Sequence, residues 1–143
     1  MKNFLLFAGV SISTMVACQN NTDPNNDPVA LSKKAIEVHD LIMPQISVFD
    51  KQSLVIDSVL ANLTAIKSVQ SDLDTTSTRQ ELTTLKADLE SATDKMMLWM
   101  REYTPDSTSV DYQKAEIQRI DDLRSEFEKV TTEANKLLAP FQR

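Results

Sequence analysis

The side chains best suited to chemistry are few and nearly all single. The 143 residues include one histidine, His39, one tryptophan, Trp99, two tyrosines, Tyr103 and Tyr112, and one cysteine, Cys18. Four methionines, Met43, Met96, Met97 and Met100, lie downstream of that cysteine. His39 and Met43 are four apart and share a face if helical, and so do Met96 and Met100. Imidazole with thioethers is a soft ligand set that suits Cu(I) better than zinc or calcium. The candidate metal ligands are therefore His39, Met43, Met97 and Met100, with Trp99, Tyr103 and Tyr112 as a candidate binding end. A packing reading stands beside this one. Met96 and Trp99 fall on an apolar stripe, Met97 and Met100 lie beside it where methionine fills gaps, and His39 sits at a stripe's margin, steadied by Asp40 or a tyrosine.

Other chemistries find little to use. The chain has a single glycine, Gly9, which excludes phosphate-cradling loops, dinucleotide fingerprints and nucleophile elbows. Asp50 and Asp57 share a helix face, but nothing marks a burial-shifted acid–base pair. Covalent haem needs Cys-x-x-Cys-His, which does not occur. The expectation is a protein that is not an enzyme and carries no cofactor.

The N-terminus supplies an address. Met1-Lys2-Asn3 is a basic start, and Phe4–Val10 is an apolar run too short to span a bilayer. This reads as a signal peptide over residues 1–17. Met15-Val16-Ala17-Cys18 resembles the bacterial lipobox, in which the cysteine is lipidated and becomes the mature N-terminus. Met15 departs from the usual leucine. A lone cysteine can form no disulfide within the chain, and two-signal acyl anchoring contributes about 0.8 kcal/mol per buried methylene. Gln19 after the cysteine, by the same resemblance, implies sorting to the outer membrane of a Gram-negative cell. Residues 18–28 then form a polar, Pro/Asn-rich tether. The formal charge is −6, and one more negative without Lys2, so nucleic acid is not an expected partner.

Elements that must position the His/Met group follow from periodicity. Ala35, Ile42, Phe49, Ile56 and Leu63 recur every seven residues and run unbroken through Pro44. They predict one helix over about 29–70, kinked near 40–44. Capping boxes at Ser77/Gln80 and Thr78/Glu81 open a second helix, about 77–103, with Leu82, Leu85, Leu89, Ala92, Met96, Trp99 and Tyr103 inward. A third, about 109–139, carries Ile117, Ile120, Leu123, Phe127, Val130, Ala134 and Leu137. Its pairs Glu116/Arg119, Asp121/Arg124, Glu126/Lys129 and Glu133/Lys136 read as a solvated face. The expected fold is an all-α, antiparallel up-down-up bundle of three helices over 29–143. Either a monomer or a homodimer that completes a larger bundle is compatible with it. Folding the helices back on each other brings His39, the methionines, Trp99 and both tyrosines within about 16 Å of the 104–108 loop, with Met100 opposite Tyr112.

The segments His39-Asp40-Leu41-Ile42-Met43-Pro44 and Met96-Met97-Leu98-Trp99-Met100-Arg101 resemble paired segments of small Bacteroidetes lipoproteins that carry the automatic label "viral A-type inclusion protein". The resemblance covers the signal peptide and most of the helical region. It implies an envelope compartment and helical character, and no activity. The expected function is a lipid-anchored helical binding or scaffold module with a membrane contact through Cys18 and a protein partner. The alternative is a soft-metal protein.

Overall fold

The computed structural model describes residues 23–141. They form α1 (Pro28–Ile42), α2 (Gln45–Val69), α3 (Thr75–Glu102) and α4 (Val110–Leu138), followed by a 3-10 turn, Ala139–Phe141. The first two are arms of a single 42-residue helix bent at 43–44. Met43 and Pro44 both keep right-handed helical angles (φ −54°, ψ −39° and φ −61°, ψ −21°). Proline cannot donate to the helical ladder, so the hydrogen bonding is interrupted while the turn continues: a bend, not a break. The seven-residue stripe survives it, and Ala35, Ile42, Phe49, Ile56 and Leu63 are all buried.

Side chains set the helix ends. Asp27 accepts from Val29 N at 3.1 Å, with Pro28 at the first helical position. At α3 the expectation needs correction. The start is Thr75, because Asp74 Oδ1 accepts from Thr76 N at 2.9 Å and Ser77 N at 3.1 Å. Ser77, expected as a cap, lies inside the helix and bonds Glu81 instead. Ser109 caps α4 through Tyr112 N at 3.2 Å.

Cross-helix pairs define the topology. Lys86–Asp57 at 2.7 Å joins α3 to α2, while Lys95–Glu126 at 2.7 Å and Arg119–Glu102 at 2.9 Å join α3 to α4. Lys114–Asn26 and Thr131–Gln45, both 3.0 Å, set α4 parallel to the first helix. The arrangement is up-down-up, as the periodicity predicts. The bend divides the labour: α1 packs chiefly on α4, and α2 chiefly on α3. Phe49 and Phe127 stack at 4.9 Å in the middle of the core. No described helix is long and apolar enough to cross a membrane.

Three expectations about α4 change. Glu116 is buried, not part of the solvated face, and Glu126 reaches across to Lys95 instead of along the helix to Lys129. Leu138, not Leu137, is the fully buried residue at the end of the stripe. Phe127→Ala should cost about 3–5 kcal/mol, and Asp74→Ala about 1 kcal/mol. Urea unfolding followed by far-UV circular dichroism measures both. An Asp74→Ala protein as stable as wild type would show that the cap contributes nothing.

Candidate functional site: a ring ladder at one end of the bundle

The end of the bundle that holds the 104–108 loop carries a ladder of four rings. His39 lies 5.8 Å from Trp99, Trp99 lies 4.6 Å from Tyr103, and Tyr103 lies 6.4 Å from Tyr112, all stacked. Each ring comes from a position fixed by helical register. His39 is on α1, Trp99 on the core stripe of α3, Tyr103 at the C-terminal cap of α3 and Tyr112 in the first turn of α4. Tyr103 leaves the helix with an extended ψ of 131°.

A polar network runs beneath the rings. The Tyr103 hydroxyl is 2.9 Å from both Ser32 Oγ and Gln113 Oε1, so one oxygen ties α1, α3 and α4 together. Gln113 is fully buried, and its amide nitrogen donates to the carbonyls of Thr104 at 3.3 Å and Ser107 at 3.1 Å. The Thr104 N–H donates to Tyr112 Oη at 2.8 Å. The loop is thereby closed by side chains, and no described residue has a positive φ. One turn along α4, Glu116 is 4% exposed and accepts from Arg119 Nη1 at 3.0 Å, while Arg119 Nη2 reaches Glu102 at 2.9 Å. The Glu102 hydrogen bond, more than Glu116, holds the guanidinium above its ordinary pKa against the opposing effect of burial. Burial raises the Tyr103 phenol above 10.0, Ser32 opposes that through its hydrogen bond, and Tyr112 and Glu116 add to it.

His39 is held at its other edge. Nδ1 is 2.9 Å from Asp40 Oδ1, and Nε2 is buried without a hydrogen-bond partner, as is Trp99 Nε1. Met96 is fully buried and Met43 partly so, both packed with the core. Met97 and Met100 are 49% and 39% exposed. At 100° per residue Met97 points almost opposite to Trp99, and Met100 about a right angle from it. The structure therefore gathers His39, Trp99, Tyr103 and Tyr112, sets Met43 and Met96 near them, and turns Met97 away. Tyr103, not Met100, faces Tyr112. Cys18 and the signal segment lie outside the described residues. Among those described, no three His, Cys, Asp or Glu side chains gather as ligands, a grouping that does not count methionine.

Gln113, Glu116 and Ser32 are the site residues that sequence reading missed. A signal exists: Gln113 is seven residues before Ile120, Glu116 seven before Leu123, and Ser32 seven before His39. Comparison with known proteins finds no matching family model, no matching curated protein and no matching solved structure.

Trp99→Ala should cost about 3–5 kcal/mol. A second expectation concerns pH. Since folding raises the Tyr103 pKa, its contribution is complete below pH 10.0 and is lost as pH rises through the folded value. Lys86, raised by its hydrogen bond to Asp57, adds an alkaline loss of its own. Tyr103→Phe should therefore lose less stability between neutral and strongly alkaline pH than wild type does, although it is less stable at neutrality. Equal alkaline losses in the two proteins would contradict this.

Proposed function

We propose that the protein is a lipid-anchored, non-enzymatic helical module of the cell envelope, sorted to the outer membrane, that acts by binding or scaffolding a partner protein. The observation that carries this is the chain's one cysteine, Cys18, set directly after an apolar, lipobox-like segment and before a polar run. The end of that run supports a short leash. Lys34 Nζ donates to Asn25 Oδ1 at 3.1 Å and Lys114 Nζ to Asn26 Oδ1 at 3.0 Å, which fastens residues 25–26 beside the start of α4. The link from Cys18 to Asp23 spans at most about 18 Å when extended. A lipid on Cys18 then presents the ladder end towards the membrane and the 70–74 turn away from it. The Tyr103 and Tyr112 hydroxyls, with Ser32 and Gln113, bind one another and the loop, which favours a bracing role over catalysis. Metabolic labelling with a palmitate analogue, compared between wild type and Cys18→Ser, tests the anchor. Wild type should take up label and stay with membranes, and the variant should not. An unlabelled, released wild-type protein overturns the proposal.

A second reading has one observation in its favour. His39 Nδ1 pairs with Asp40 Oδ1 at 2.9 Å, and its Nε2 is buried with no hydrogen-bond partner. The carboxylate–imidazole pair resembles the outer-shell arrangement that orients metal-ligating histidines. Met43 shares the His39 face, and Met96 lies one turn before Trp99 on α3. Cu(I) is the cation this set suits. A Cu(I) competition titration under reducing conditions should give sub-micromolar binding that is lost in His39→Gln and Met43→Leu and kept in Met97→Leu. Binding no tighter than micromolar, or unaffected by the first two changes, ends this reading.

A further inference from the structure

Two of the methionines at the ladder end are left without a part in the structure. Met96 belongs to the buried core and Met43 packs against it, whereas Met97 and Met100 belong to neither group. They are 49% and 39% exposed, and the soft-metal reading uses neither. Methionine has no advantage at such positions as a helix former, since lysine, glutamine and glutamate are about equal to it. Nor does it have one in solvation. What the thioether adds there is its chemistry, a soft sulfur that binds metals or takes up oxygen. Two of them three residues apart on one helix are surface neighbours.

We propose that Met97 and Met100 are a reversible oxidant-accepting pair, which consumes hypohalous acid ahead of the ring ladder. The thioether sulfur attacks the chlorine of hypochlorous acid, giving a chlorosulfonium ion and hydroxide. Water then adds its oxygen to the sulfur, chloride departs and two protons leave. The net products are the sulfoxide, chloride and one proton. Sulfur loses two electrons and chlorine gains them. A sulfoxide reductase reverses the change with two thiols, which become a disulfide while the oxygen leaves as water.

Burial sets the order of attack. Met96 is 0% exposed, so it reacts only when the helix opens. A sulfoxide at 97 or 100 stays in water and leaves the core untouched, whereas one at Met96 would put a polar group inside it. What stands behind the pair is vulnerable to the same reagent. Trp99 stacks on His39 and Tyr103, and indole, imidazole and phenol react with hypohalous acid after sulfur. Trp99 is 3% exposed and lines a groove between α3 and α4 with Lys95, Leu98, Arg119 and Leu123, the way in for a small molecule. Charge selects the reagent. Hypochlorous acid is neutral, so a chain of formal charge −6 does not repel it as it repels anionic oxidants. The reaction needs exposure alone and does not rest on lipidation at Cys18.

Stepwise addition of hypochlorous acid to the full chain in mild detergent, until half of Met97 is converted, tests this. Trypsin releases residues 96–101 as one peptide, in which tandem mass spectrometry reads Met96, Met97, Trp99 and Met100 together. Met97 and Met100 should each be roughly tenfold more oxidised than Met96 and Trp99, with circular dichroism and melting temperature unchanged. Methionine sulfoxide reductases A and B with dithiothreitol should restore the original mass in the folded protein. In a Met97→Leu, Met100→Leu variant, which keeps apolar volume at both sites, the same dose should raise oxidation of Met43 and Trp99 about threefold. Met96 or Trp99 oxidised alongside Met97, a melting temperature lowered by the dose, sulfoxides that resist reduction, or a double variant whose Trp99 is no more oxidised than that of wild type would each overturn the proposal.

Discussion

Three helices meet at one phenolic oxygen. α1 and α3 are linked at this end through side chains, and the Tyr103 hydroxyl, within 2.9 Å of Ser32 on α1 and Gln113 on α4, is the atom common to all three. The rest of the end follows from it. Gln113 must be buried to reach Tyr103, and once buried its amide needs acceptors, which the Thr104 and Ser107 carbonyls supply. Those bonds close the only connection between α3 and α4 without a glycine. The rings of His39, Trp99 and Tyr112 then fill the wedge around Tyr103. A buried polar network of this sort rigidifies when every member is satisfied and is costly when one is not.

The bend at Pro44 complements that brace at the other arm. A straight 42-residue helix would have to favour one neighbour along its whole length. Bending lets α1 lie on α4 and α2 lie on α3 while one apolar stripe serves both. The consequence is the exposed far side of α2, where the helix has left α4 without acquiring a charged surface. Brace and bare face therefore sit on different arms.

How much of this is legible in sequence depends on which force dictates each position. Burial is read directly: the stripe through Phe49 and Ile56, the continuation across Pro44 and the inward face of α3 all follow from period. Polar residues in apolar registers are not read that way. Gln113 and Glu116 occupy heptad positions that continue the α4 core, yet their types suggest solvent, and only Tyr103 opposite Gln113 and Arg119 one turn along α4 from Glu116 explain their burial. Local capping signals were degenerate at α3, where Asp74, Ser77 and Thr78 are all competent and Asp74 takes the role by coming first. The His/Met group was legible as an end of the bundle. Its internal geometry was not, because a one-residue difference in register separates Met96, which is buried, from Met97, which faces water.

The central claim is that the 103–109 connection is a braced structural element and not an open binding loop. Native-state hydrogen exchange at the Thr104 amide addresses it most directly, since that N–H lies in a connecting segment and donates to Tyr112 Oη at 2.8 Å. The account predicts protection approaching that of the core amides of α3 and α4, with exchange through global unfolding. Exchange at the rate of an unstructured peptide, while the helices stay protected, would contradict it.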